Sequence, residues 1–228
     1  MSITYNVREL YGGAVALELP TEFIDSSDIR QIPDHQEVFL SPTTLMSVIF
    51  ELNDYVQPIP LSGQQQQTPQ TNGALTQQDS VDVDAAKYHF TDVIAPPDTL
   101  ASPLQNPQKI SMRHASLSGF PTFVVAGNIN SVESRSRGPP PSTSGDGGRQ
   151  ALAASSSNPT QSIVYQLQLL VRMKNYATDL CVRINVPMKE VAQDDGEVAA
   201  EVGFARELLE RVVATLEVRD FGLFGAAA

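Results

Sequence analysis

Between Ile163 and Met173 the chain sets Ile163, Tyr165, Leu167, Leu169, Val171 and Met173 on one side and Gln166, Gln168 and Arg172 on the other. After a turn near Asn175, Leu180, Val182, Ile184 and Val186 alternate with Cys181, Arg183 and Asn185. Strand side chains point to opposite faces with a period of two, so two such closely joined runs predict an antiparallel hairpin with one strongly apolar face. The same period marks Val15, Leu17 and Leu19. A further strand is predicted over 120–128, centred on Phe123, Val124 and Val125.

Helical spacing appears in three places. Val198, Val202, Ala205, Leu209, Val212 and Leu216 recur every three or four residues, with Glu201, Glu207, Glu210 and Arg211 placed toward water. Asp194, three residues before Glu197, is the expected cap of this helix, whose stripe would cover the apolar face of the hairpin. Ser41-Pro42 reads as a helix start, with Leu45, Val48, Ile49 and Leu52 forming one face behind it. A shorter helix is expected over 84–93. Together these elements predict an α/β fold, a mainly antiparallel sheet with packed helices.

Two stretches break the pattern. Residues 59–82 hold Gln64-Gln65-Gln66-Gln67, and residues 131–161 hold Pro139-Pro140-Pro141 and Gly145-Asp146-Gly147-Gly148. Such segments bury too little apolar surface to offset an ordering cost of roughly 1–2 kcal/mol per residue, so both are expected to be mobile inserts in a single domain spanning 1–228.

Composition narrows the function. A formal charge of −11 argues against tracking of nucleic-acid phosphates and against attachment to an anionic membrane surface. No apolar run approaches the ~20 residues of a membrane helix. The single cysteine, Cys181, forms no intrachain disulfide and permits a reducing compartment. No heptad or large apolar face points to an obligate assembly, so a monomer is expected.

Catalytic signatures are missing. There is no Gly-Lys-Ser/Thr phosphate loop, Gly12-Gly13 lacks dinucleotide-loop spacing, and His35, His89 and His114 lack metal-ligand spacing with each other or with Cys181. Neither cofactor nor metal is expected. Cys181 falls opposite the apolar stripe without an evident base, and His89 beside Phe90 reads as a packed imidazole. The chemistry that stands out is a run of acids, Asp25, Asp28, Asp34 and Glu37, in a turn-rich segment that leads into a strand at Val38. Pro33-Asp34 favours a turn, and Asp25 is placed to cap a short turn over 26–30.

The ordered blocks Leu10-Tyr11-Gly12-Gly13-Ala14, Phe23-Ile24-Asp25 and Pro33-Asp34-His35-Gln36-Glu37-Val38 resemble the Ran guanine-nucleotide release factor family, the Mog family of Ran-binding proteins. Tyr88-His89-Phe90 with Asp92-Val93, Thr178-Asp179-Leu180 with Ile184-Asn185-Val186-Pro187, and Asp220 with Leu223-Phe224 continue the resemblance in order, and both inserts fall between these blocks. The resemblance implies a PsbP-like α/β/α sandwich with helices on both faces of the sheet. It also implies a noncatalytic role in nuclear import, in nucleus and cytoplasm: binding the GTPase Ran, nucleotide-free or GTP-bound, and promoting nucleotide release. Asp34 and Glu37 match the family's Ran-binding acids, while Asp25 and Gln36 match positions that would support that surface. Two other classes stay open from the residues: a scaffold of the same fold for a different partner, and an enzyme using buried acids or Cys181.

Overall fold

A computed structural model describes residues 3–57, 77–133, 160–188 and 195–224. The hairpin read from the alternation is its centre. Strands β9 (Thr160–Met173) and β10 (Thr178–Pro187) pair antiparallel, with Leu169 opposite Val182 and Asp179 opposite Arg172. They lie in an eight-stranded sheet of order β3-β4-β5-β10-β9-β8-β6, with β7 also on β8, and its pairings are all antiparallel. The remaining strands are β3 (Ile24–Asp25), β4 (Gln36–Leu40), β5 (Ser47–Asp54), β6 (Thr99–Leu100), β7 (Gln108–Ile110) and β8 (Thr122–Glu133). A second sheet joins β1 (Tyr5–Leu10), β2 (Val15–Pro20) and β11 (Glu217–Val218).

One face of the large sheet is apolar. Leu167, Leu169, Val171, Leu180, Val182 and Ile184 pack there with Leu17 and Leu19 of β2 and with Ala205, Leu208, Leu209 and Val212 of the last helix, α2 (Asp195–Thr215). The stripe read from sequence therefore covers the expected face. Its proposed cap, Asp194, lies outside the described residues. Of the acids and base placed toward water, Glu207, Glu210 and Arg211 are exposed and Glu201 is half-buried.

The opposite face is covered by α1 (Gln77–Asp92). Ala85 and Ala86 pack on Phe123, Leu170 and Cys181, so the sheet is buried between helices on both sides. Helix α1 also corrects the first insert: residues 77–82 form its opening turns, and Asp82 is buried against Arg172, while 59–76 lie outside the described residues. In the second insert, 131–133 extend β8 and 160–161 begin β9; residues 134–159 lie outside the described residues.

The helix predicted after Ser41 is a strand. Ser41 Oγ does accept from the backbone N–H groups of Thr43 and Thr44, each at 3.4 Å, but these cap a turn that ends with Leu45 at φ +55°. Val48 and Phe50 then enter the core as alternate residues of β5, which is paired on one side with β4 and on the other with β10. The stretch Val48-Ile49-Phe50 is β-branched and aromatic, and two flanking strands supply hydrogen-bond partners that a local helical pattern cannot anticipate.

Candidate functional site

The acidic segment forms one corner of the sheet beside the first turn of the chain. Tyr11, Gly12 and Gly13 all have positive φ, at 50°, 66° and 91°, a left-handed run that two glycines make tolerable. Tyr11 is the costly member, and two contacts from β4 and the turn before it hold it there. Glu37 Oε1 accepts from the Tyr11 backbone N–H at 2.7 Å, and the Tyr11 hydroxyl donates to the His35 carbonyl at 3.2 Å. Burial first, then the nearby Glu37 and Glu51 carboxylates, raise the Tyr11 hydroxyl pKa, so it stays a donor.

Asp34 sits on the tight turn closed by Gln36 N–H to Pro33 carbonyl at 2.8 Å, as Pro33-Asp34 predicted. Its side chain is exposed; Glu37 is half-buried. Among the described residues, neither forms a salt bridge. Strand alternation sends the Gln36 side chain to the other face of β4. There its Nε2 donates to Glu51 Oε1 at 2.5 Å, and Glu51 is paired to Arg183. Burial works to raise the Glu51 carboxyl, but the Arg183 charge, with hydrogen bonds from Arg183, Asn53 and Gln36, outweighs it and holds the group below its ordinary value. Asp25 does what its position predicted: its carboxylate accepts from Ser27 N–H at 2.8 Å and caps the short helix Ser26–Asp28, while its backbone pairs with Phe39. The structure thus places Asp34 and Glu37 on one corner, sets Gln36 behind it, and keeps Asp25 in a separate turn.

Glu37 has a structural duty through Oε1, while its Oε2 takes no partner among the described residues. Loss of a charge-assisted bond to a partly buried N–H costs about 1.5–3 kcal/mol. Glu37→Ala is therefore expected to lower unfolding stability by about that amount in urea titration, whereas Asp34→Ala stays within about 0.5 kcal/mol of the parent. Equal stability of the two variants would show that the Tyr11 turn does not need the carboxylate.

Behind the corner runs a polar layer that the sequence pattern showed only as residues facing away from the apolar stripe. Asp179 Oδ2 receives Arg172, His89 Nε2 at 2.8 Å and the Val56 N–H at 3.0 Å. Arg172 also reaches Asp82 at 3.1 Å and the Val56 carbonyl at 2.8 Å, and lies 3.8 Å from the centre of the Tyr55 ring. Arg183 binds Glu51, Gln168 Oε1 at 3.3 Å and the His89 carbonyl at 3.2 Å. Glu51 and Asp82 are the members that sequence reading missed, Asp82 because it fell within the first insert; for Glu51 the signal lay in its own strand. The alternation of Glu51 and Asn53 with Phe50 and Leu52 was the available signal, hidden by the helical spacing preferred there.

His89 is the packed imidazole expected from sequence, 3% exposed. Cys181 is fully buried, and burial pushes its thiol up to about 12, so a thiolate is disfavoured at neutral pH. Among the described residues there is no cluster of three metal-ligating side chains, and no helix is long and apolar enough to cross a membrane.

A helix-covered antiparallel sheet with carboxylates displayed at one corner defines a protein of the α/β sandwich class. The family described as "Mog1: Ran-interacting Mog1 protein" matches residues 8–187, and the chain belongs to that family. The human Ran guanine nucleotide release factor is 27% identical over 219 residues, 95% of each chain. A probable Ran guanine nucleotide release factor from Dictyostelium discoideum is 49% identical over 55 residues, 24% of this chain and 28% of the relative. The zebrafish (Danio rerio) Ran guanine nucleotide release factor is 38% identical over 86 residues, 38% of this chain and 36% of that relative, so these last two matches each span well under two thirds of the relative's length. The crystal structure of the Saccharomyces cerevisiae Ran-binding protein Mog1p shares the fold, with a TM-score of 0.52 at 21% identity over 98% of this chain and 100% of that one.

Proposed function

We propose that this protein binds the GTPase Ran and promotes release of its guanine nucleotide in support of nuclear import. It would act in nucleus and cytoplasm, as one domain, without covalent chemistry of its own. The observation that carries the reading is the corner itself: in a chain of the Ran-interacting family, Asp34 stands exposed and Glu37 half-buried, and neither is neutralised by a cation of the described residues. Glu37 spends Oε1 on the Tyr11 turn and keeps Oε2 for a visitor. Asp34 has no competing internal duty, so it is the sharper probe.

A release factor shifts nucleotide occupancy only by preferring empty Ran to loaded Ran, and a tenfold shift takes ~1.4 kcal/mol of preference. Two carboxylates, Glu37 anchored through Oε1 and Asp34 unbonded, meeting basic groups freed from the departing nucleotide would supply such a difference. Asp34→Lys places like charge against those groups and is expected to weaken binding of nucleotide-free Ran about tenfold or more, with the fold unchanged. Release of a fluorescent guanine nucleotide from Ran, timed with parent and variant, checks this. Unchanged release with Asp34→Lys removes the corner from the interface; binding that is equal for empty and loaded Ran leaves a scaffold and not a release factor.

A further inference from the structure

At the acidic corner the small sheet meets the large one through Tyr11. Strand β3 pairs with β4 at Phe39 and Leu40, while Gln36, Glu37 and Val38 pair only with β5 among the described strands. The half of β4 that carries the acid is thus the less supported half. Its further support comes from the β1–β2 turn, where Tyr11 reaches two neighbouring positions of the acidic segment. The Tyr11 N–H donates to Glu37 Oε1 at 2.7 Å, and the Tyr11 hydroxyl donates to the His35 carbonyl at 3.2 Å. That carbonyl also accepts from the Leu52 N–H at 2.9 Å, so strand pairing takes one of its lone pairs and Tyr11 the other. Asp34 precedes it in the turn closed from Gln36 to Pro33, and its side chain is exposed and unbonded. The place of the Asp34 carboxylate therefore depends on the backbone that Tyr11 holds.

Tyr11 does this in a costly conformation. Left-handed backbone is disfavoured for a bulky side chain and persists where surrounding contacts over-determine it. Among the described residues the other non-glycine positions with positive φ are Leu45 and Ala177, and both lie on turns between strands of the large sheet. Tyr11 turns in the small sheet, and both of its bonds above cross to the large one. Nor does the β1–β2 hairpin need the hydroxyl to form. Its register is complete from Tyr5 opposite Pro20 to Leu10 opposite Val15. The hydroxyl bond acts on the acidic segment instead.

We infer that Tyr11 is a positioning residue of the Ran-binding corner: by bonding Glu37 Oε1 and the His35 carbonyl together, it sets the Asp34 turn and the Glu37 carboxylate relative to each other before the GTPase arrives. The inference rests on the Ran-binding reading and deepens it. Ordering a turn and a long acidic side chain during association subtracts from affinity, and ordering them beforehand avoids that loss. Tyr11→Phe keeps the ring and the N–H and deletes only the hydroxyl, which loosens the Asp34 turn and leaves Glu37 bonded. It is expected to weaken binding of nucleotide-free Ran about two- to tenfold.

Titration calorimetry with nucleotide-free Ran, run on the parent, Tyr11→Phe, Asp34→Ala and the double variant, tests this as a cycle. If Tyr11 acts through the Asp34 turn, Tyr11→Phe weakens the parent but adds little once Asp34 is alanine. Losses that multiply in the double variant overturn the positioning role. So does parental affinity in Tyr11→Phe when Asp34→Ala binds weakly, a result that leaves the corner standing. Parental affinity in Asp34→Ala removes that carboxylate from the interface, and the positioning role falls with it. A merely structural hydroxyl would lower the urea midpoint of Tyr11→Phe and leave the affinity of the folded protein unmoved. A second readout needs no partner: ¹⁵N relaxation of the free protein should show lower order parameters for the Asp34 and His35 amides in Tyr11→Phe, with those of β9 unchanged. Equal order at Asp34 and His35 in parent and variant overturns the proposal.

Discussion

Asp179→Ala is expected to lower the free energy of unfolding by about 3–5 kcal/mol, the range found when one partner of a buried ion pair is removed. The magnitude follows from what the carboxylate holds. Its single oxygen Oδ2 takes donors from Arg172, His89 and the Val56 backbone, joining β9, α1 and the chain after β5 at one point. Both Asp179 and Arg172 are buried at 1% exposure or less. Without the carboxylate, Arg172 keeps Asp82 and the Val56 carbonyl, but Val56 N–H and His89 lose their acceptor. Denaturant unfolding followed by circular dichroism measures the change. A variant within about 1 kcal/mol of the parent would mean that water enters and solvates the site, and that the polar layer does not tie α1 to the sheet.

Phe50→Ala should be as damaging, at about 3–5 kcal/mol, while Leu45→Ala should cost less than about 1 kcal/mol. The pair separates the two readings of the segment after Ser41. On a helix presenting Leu45, Val48, Ile49 and Leu52 to a core, Leu45 would be inside and Phe50 off the stripe. In the structure Phe50 is fully buried, edge-on to Phe39 with ring centroids 6.2 Å apart, and Leu45 is 59% exposed. A large ring deleted from the middle of a strand paired on both sides leaves a cavity that neighbouring strands cannot collapse to fill. Reversal of the order, with Leu45 the sensitive site, would contradict β5 as described.

How far the chain could be read depended on where each element finds its partners. The β9–β10 hairpin and the covering stripe of α2 carry their instructions locally, in periods of two and of three to four, because one face of each meets apolar surface and the other does not. Asp25 as a cap and Pro33-Asp34 as a turn were equally legible, since both effects act within a few residues. Asp34 and Glu37 could be singled out as types, and through family resemblance as candidates, but not sorted: only the fold shows Asp34 without an internal bond and Glu37 committed to the Tyr11 N–H.

The polar side of the sheet marks the limit. Gln166, Gln168 and Arg172 read as residues facing away from a core, which in a one-sided sheet means water. Here α1 covers that side, and ions separated by 90 residues of chain neutralise one another, as Asp82 and Arg172 do. Alternation records that a face is polar; it does not record whether a helix from elsewhere will seal it. Charge partners at such separation follow from which strands become neighbours. That choice is made by long-range pairing energy, summed over the whole sheet, and no local window of residues contains it.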